Sequence, residues 1–280
     1  MQEKAMRRTI ILTGASDGIG AAAARQLAAA GHRLVLVGRS PEKTARVAAE
    51  LGAPYHLADY ARLIDVRRLA DELAAYGPID VLANNAGGIF NGGETTEDGF
   101  DKTIQVNHLA PFLLTSLLLP GLIENGASVI QTASAYAKSA PRLDLDSFAK
   151  PEGTSATRSY ATSKMANVLF TRELHRRYHE EGLNAVAFHP GVLATNFASS
   201  TSSFFRFMAS SRLVRLFLSA PEDGGARLAA LVEGRAGADW PPGAFLSGTK
   251  EWTVRGDDDP ALARALWERS EALLGLPPAP

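Results

Sequence analysis

Tyr160 and Lys164 stand four residues apart in the run Tyr160-Ala161-Thr162-Ser163-Lys164. The residues that follow include Ala166, Val168, Leu169, Phe170 and Leu174, apolar at helical spacing. The pair is therefore expected on a helix, where side chains four apart share a face. An ammonium close to a phenol favours the ionised phenol. A free phenol ionises near about 10, and lowering that by roughly 3 units takes about 4 kcal/mol at about 1.36 kcal/mol per unit. With such a shift Tyr160 is a general acid or base usable near neutrality. The pair needs a frame, and the upstream sequence describes one.

The chain has 280 residues, 46% of them hydrophobic and 21% charged, the composition of an ordinary globular protein. Its formal net charge of -1 lacks the basic footprint of a nucleic-acid binder. There is no cysteine, which excludes disulfides, thiol chemistry and thiolate metal sites. The opening MQEKAMRRTIILTG has charges but no apolar core of a signal peptide, and no apolar run reaches the length of about 18 residues that a membrane span needs. A soluble cytoplasmic protein is expected, with no metal site, no nucleic-acid partner and no transmembrane span.

Short β-branched runs alternate with helical stretches. Thr9-Ile10-Ile11-Leu12 reads as a strand, then a helix through AAAARQLAAAG, then Leu34-Val35-Leu36-Val37. Ser40-Pro41-Glu42 carries the N-cap, first-position proline and first-turn acid of a helix start. Further strands are expected at Tyr55-His56-Leu57, Ile79-Asp80-Val81-Leu82, Ser128 to Ser134, Ala185 to Phe188 and in GAFLSG. Helices are expected over Ile64–Ala75, Thr103–Leu119, Pro221–Glu233 and Asp259–Leu274. Strands and helices alternating in this way predict a single doubly wound α/β domain of Rossmann type, a central parallel sheet of about seven strands covered on both faces.

Thr13-Gly14-Ala15-Ser16-Asp17-Gly18-Ile19-Gly20 sits between the first strand and the first helix. Glycines there permit a tight turn and close backbone approach to a pyrophosphate, which a helix N-terminus favours. At the end of the second strand, where an acid holds the ribose 2′-hydroxyl in NAD-preferring folds, this chain has Gly38-Arg39-Ser40. An arginine fork suits a phosphate. The expected cofactor is NADP(H), with Arg39 and Ser40 at the 2′-phosphate and NAD(H) as the alternative.

The T-G-x-x-x-G-I-G turn, Asn84-Asn85-Ala86-Gly87 and Y-x-x-x-K occur in one order, and together they resemble the short-chain dehydrogenase/reductase family from about Arg8 to Leu274. The resemblance implies that Gly14, Ser16, Asp17, Gly18, Ile19 and Gly20 hold the dinucleotide, that Asn85, Ala86 and Gly87 line its cleft, and that Asp59 holds the adenine amino group with Tyr60 beside the ring. It places Asn107 at a local break in its helix, holding a water that links Lys164 to bulk. It makes Ser134 the group that orients the substrate oxygen, with Thr132 as the competing candidate. Lys164 would also hold the nicotinamide ribose. His189-Pro190-Gly191-Val192-Leu193-Ala194-Thr195 matches P-G-x-x-x-T, so Pro190, Gly191 and Thr195 would hold the nicotinamide carboxamide.

Between Ser134 and Tyr160 lie 25 residues. That long approach, an active-site loop at about 135–158, resembles the branch of retinol dehydrogenases and the WW-domain oxidoreductase, as do V-N-H-L, Y-x-x-S-K-x-A-N and Leu266-Trp267-Glu268-Arg269-Ser270. Residues 196–220 read as a lid over an apolar substrate, with a helix pair of the same domain or a membrane-surface helix as the alternatives over 204–218. The activity so implied is hydride transfer between NADP(H) and a carbonyl or alcohol of a lipophilic small molecule. Reduction of a C=C bond and a non-catalytic dinucleotide-binding regulator are the rivals. Pairing of family members through the helices at Asn107 and Tyr160 implies a dimer or tetramer, unless the long loop and the C-terminal helix cover that face.

Overall fold

A computed structural model describes residues 7–191, 220–257 and 259–278. Thr195 and the expected lid at 196–220, apart from Ala220, lie outside the described residues. Eight strands form one sheet in the order β3-β2-β1-β4-β5-β6-β7-β8. These are β1 (Thr9–Thr13), β2 (Arg33–Gly38), β3 (Tyr55–Leu57), β4 (Val81–Asn84), β5 (Ser128–Thr132), β6 (Asn184–His189), β7 (Phe245–Ser247) and β8 (Lys250–Trp252). All neighbours pair in parallel except β7 and β8, which close the edge as an antiparallel hairpin. That hairpin is one strand beyond the expected sheet. Lys250-Glu251-Trp252 has no apolar alternation to announce it.

The helices are α1 (Gly18–Ala29), α2 (Pro41–Leu51), α3 (Leu63–Ala74), the single turn α4 (Lys102–Ile104), α5 (Ala110–Glu124), α6 (Ala156–Tyr178), α7 (Pro221–Glu233) and α8 (Pro260–Leu274). Strand alternation divides the core. Ile10, Leu12, Leu34, Leu36, Ile130 and Phe188 pack on one side of the sheet with residues of α1, α2 and α7. Ile11, Val35, Val37, Leu82, Val129 and Ala187 pack on the other with α3, α5, α6 and α8. Successive side chains point to opposite faces of a strand, so strands apolar throughout demand this double cover.

The helix expected over Thr103–Leu119 is interrupted. After α4, residues Gln105–Leu109 form a π-helical turn that carries Asn107, and α5 follows. Lys102–Glu124 is long and apolar enough to cross a membrane, yet two thirds of that stretch is buried inside the fold, as a core helix would be. Its outer side and α6 are covered by the chain itself. Trp267 of α8 packs against Phe112 and Phe170 with ring centroids 4.9 and 5.6 Å away, and His108 bonds to Ser270 at 3.0 Å. The long loop joins the same layer: Leu143, Phe148 and Ala149 are buried in this core, and Arg269 donates to the Leu145 carbonyl at 3.1 Å.

Candidate active site

The loops at the C-terminal ends of β1, β4, β5 and β6 meet where the chemistry-bearing residues converge. Parallel strands bring those ends to one edge, the usual place for a ligand crevice in an open α/β sheet.

The glycine turn is built for close approach. Gly14 and Gly18 adopt left-handed backbone, with φ of 67° and 51°. A Cβ on Gly20 would lie 2.1 Å from the Gly14 carbonyl oxygen, so only glycine lets the first turn of α1 fold over the loop. Asp17 caps α1, accepting from the Gly18 N–H at 2.8 Å, and also pairs with Lys43 at 2.7 Å. An α-helix leaves its first-turn N–H groups without intrahelical acceptors, and such an N-terminus favours a phosphate. Ser16 lies against Gly38 at the end of β2, and Ala15 donates to the Val37 carbonyl at 3.1 Å.

Thr13 ties this turn to β4. Its Oγ1 accepts the N–H groups of Asn85 and Ala86, each at 3.0 Å, while Asn85 Nδ2 donates to the Thr13 carbonyl at 3.1 Å. Its place in the T-G-x-x-x-G-I-G motif alone assigns Thr13 no role. A hydroxyl directly after a buried strand was the signal.

Arg39 is exposed at the end of β2, and Ser40 caps α2, its Oγ accepting the Lys43 N–H at 3.4 Å. Asp59 is half-buried after β3, where its Oδ1 accepts the Ala61 N–H at 3.0 Å. Tyr60 follows Asp59, its ring buried in the core and its carbonyl accepting from Gln105 at 3.1 Å. Gly191 has a φ of 104°, and Pro190 precedes it at the end of β6.

Asn107, Ser134, Tyr160 and Lys164 are all buried and come together. Asn107 Nδ2 donates to the Gly88 carbonyl at 2.9 Å and to Ser163 Oγ at 3.0 Å, and its Oδ1 accepts the Gly88 N–H at 2.8 Å. A Cβ on Gly87 would lie 2.8 Å from Asn107 Oδ1 and 3.5 Å from Lys164 Nζ, so this glycine lets both side chains close in. Lys164 Nζ donates to the Thr132 carbonyl at 2.8 Å and lies 5.6 Å from the centre of the Tyr160 ring. The Thr132 hydroxyl donates to Asn85 Oδ1 at 3.2 Å, whereas the Ser134 hydroxyl sits near the Tyr160 phenol and pulls its pKa down. Geometry thus brings Ser134, not Thr132, to the phenol. Ser134 Oγ also accepts the Tyr136 N–H at 3.3 Å, which starts a 3₁₀ turn over Ala135–Ser139. Ser163 was missed by sequence reasoning, being hidden inside the motif that drew attention to its neighbours.

The electrostatics depart from the expectation of a lowered phenol pKa. Burial pushes Tyr160 up to about 12, against a counter-pull from the nearby Ser134 hydroxyl. Burial also pushes Lys164 down to about 7. Desolvation disfavours either charge, and the ammonium is directed at a carbonyl. The phenol is therefore held protonated as a donor, and the amine titrates near neutrality. His189, at the end of β6, is lowered to about 4 by burial and by the positive Arg227 nearby, and its Nδ1 accepts the Ala135 N–H at 3.3 Å. Among the described residues no cluster of His, Cys, Asp or Glu could hold a metal ion.

The protein family model described as short chain dehydrogenase matches residues 8–204. A protein from Streptomyces sp. strain C5, named for daunorubicin C-13 ketoreductase activity, is 38% identical over 279 residues, covering 96% of this chain and 93% of the relative. Human retinol dehydrogenase 13 is 34% identical over 284 residues, covering 96% and 85%. Among solved structures, a short chain dehydrogenase from Burkholderia cenocepacia in complex with NADP superposes with a TM-score of 0.69 at 28% identity, covering 88% of this chain and 97% of that one.

Proposed function

The chain belongs to the short-chain dehydrogenase family, in the branch of the retinol dehydrogenases, as an oxidoreductase of the alcohol–carbonyl couple, and we propose that it works with NADP(H) on a lipophilic ketone, aldehyde or alcohol. The observation that carries this reading is the convergence of buried Ser134, Tyr160, Lys164 and Asn107 at the strand ends, next to a glycine turn that fits a dinucleotide.

When bound, the reduced nicotinamide supplies the hydride. Ser134 holds the substrate oxygen against the Tyr160 hydroxyl, and the phenol gives its proton to that oxygen as negative charge develops there. Burial keeps Tyr160 protonated across the physiological range, the state a donor needs. Lys164, titrating near neutrality, is placed to return a proton to the phenol region, and Asn107 fixes the backbone on the far side of Lys164. Gly14 to Gly20 and the N-terminus of α1 seat the pyrophosphate, and Asn85, Ala86, Gly87, Pro190 and Gly191 bound the rest of the cleft.

Preference for NADP(H) is supported by Arg39, exposed where a 2′-phosphate would lie, by the α2 N-terminus that Ser40 caps, and by the relative solved with NADP. A lipophilic substrate is supported by relatives named for retinol and daunorubicin chemistry. α8 and the long loop pack on α5 and α6, which favours the alternative in which that face is covered by the chain itself.

The test is a panel of ketones, aldehydes and enones followed by NADPH absorbance. Oxidation of NADPH with ketones or aldehydes supports the reading. Turnover confined to enones at the C=C bond would replace it with the olefin reductase, and NADPH binding without any turnover with the regulator.

A further inference from the structure

Four large apolar side chains stay exposed among the described residues: Tyr55, Ile64, Leu117 and Tyr136. Tyr55 opens β3, Ile64 lies in the first turn of α3 and Leu117 on α5, and none of the three has a ring contact with Tyr160. Tyr136 adjoins it. Its ring meets that of Tyr160 edge to face, with centroids 5.6 Å apart and planes at 69°.

The turn that carries Tyr136 is pinned on every side. Its N–H donates to Ser134 Oγ at 3.3 Å, and its carbonyl accepts from Ser139 at 2.9 Å. Ahead of it, the Ala135 N–H is held by His189 Nδ1 at 3.3 Å. Behind it, the Lys138 ammonium sits 4.5 Å from the centre of the Trp252 ring, which itself stacks on His189 at 5.6 Å. An exposed aromatic ring on so fixed a backbone is preorganised for contact, and with two side-chain torsions it has little ordering entropy to lose. Its edge-to-face contact engages Tyr160, and its exposed part is free to take a second ring at the usual centroid spacing of about 4.5–7 Å. A ring in that place would be attached close to the carbonyl whose oxygen meets Ser134 and Tyr160. A saturated ring fills the same volume without the quadrupole match.

We infer that Tyr136 is a substrate-stacking residue, and that it makes this site select ketones whose carbonyl carries a flat aromatic group directly attached. The inference rests on the carbonyl chemistry proposed for Tyr160, so its test separates the two.

Initial rates with NADPH are compared for acetophenone and cyclohexyl methyl ketone, equal in ring size and differing in flatness. The wild type is expected to favour acetophenone in kcat/KM. Tyr136→Phe should keep that ratio, and Tyr136→Ala should lower it about three- to tenfold. A ratio unmoved by Tyr136→Ala overturns the inference. If the wild type reduces neither ketone, the panel assay decides the carbonyl reading separately, and stacking is judged by calorimetric binding of both ketones to Tyr160→Phe with and without Tyr136→Ala. Selective weakening of acetophenone then supports stacking, and equal binding overturns it.

Discussion

Asn107 bonds to Ser163 across 3.0 Å, joining the π-helical turn to the helix that bears Tyr160 and Lys164 one residue away from the amine. The same side chain clasps Gly88 through both its N–H and its carbonyl. One amide therefore sets the spacing of the cofactor loop, the π turn and α6. Asn107→Ala leaves the Gly88 N–H without its acceptor, which costs about 1–3 kcal/mol in urea unfolding. Misplacement of Lys164 should lower kcat about 10- to 100-fold while the KM for NADPH changes little. Normal kcat in a destabilised variant would contradict the positioning role.

Lys164 trades stability for function. Its folded pKa is near 7, well below the ordinary lysine value. At and below pH 7 both folded and unfolded chains carry the proton, and burial of the charge destabilises the fold in full. Between about pH 7 and 10.4 only the unfolded chain keeps it, so this cost fades as pH rises. Lys164→Met should raise stability at pH 6 on the order of 2 kcal/mol, with the gain shrinking by pH 9 and turnover lost. Paired denaturant titrations at the two pH values decide this. A gain that does not shrink would contradict the burial of a charged amine.

Arg39 has its own readout. An exposed guanidinium at the end of β2 gains by pairing with a phosphate and has nothing comparable to gain from a ribose hydroxyl. Arg39→Ala is expected to raise the KM for NADPH about tenfold and leave that for NADH nearly unchanged. Steady-state kinetics with both cofactors check it. Better use of NADH by the wild type, with a ratio indifferent to the substitution, would remove the assignment.

Gly20 tests the fit of the glycine turn. A Cβ would meet the Gly14 oxygen at 2.1 Å, so Gly20→Ala must push the turn away from the α1 N-terminus. NADPH affinity measured by fluorescence should fall at least about tenfold, with the far-ultraviolet spectrum preserved. Unchanged affinity would show that the turn does not bear on the dinucleotide.

Much of this was legible in the residues themselves. Alternation of apolar runs foretold β1 to β7, and Ser40-Pro41-Glu42 foretold where α2 starts. Four-residue spacing foretold that Tyr160 and Lys164 share a helix. What stayed hidden depended on distance in sequence or on burial. Periodicity could not reveal the π turn, because a segment apolar on all sides has no polar stripe to shift by one residue. The resemblance, not the pattern, suggested a break there. The cover of α5 and α6 joins Phe112 and Phe170 to Trp267, far away along the chain. The phenol pKa was misjudged because spacing reveals a neighbouring ammonium but not the desolvation of both groups, nor the carbonyl of Thr132 that draws Lys164 aside.

The most direct measurement is Tyr160→Phe, assayed for NADPH-dependent reduction of a ketone and, separately, for NADPH binding by calorimetry. The substitution removes the hydroxyl and keeps the ring that packs against Tyr136. With Tyr160 as the proton donor, turnover falls by about 100- to 10,000-fold while NADPH affinity stays near that of the wild type. Turnover within tenfold of the wild type, or loss of NADPH binding together with activity, would contradict the role assigned to Tyr160.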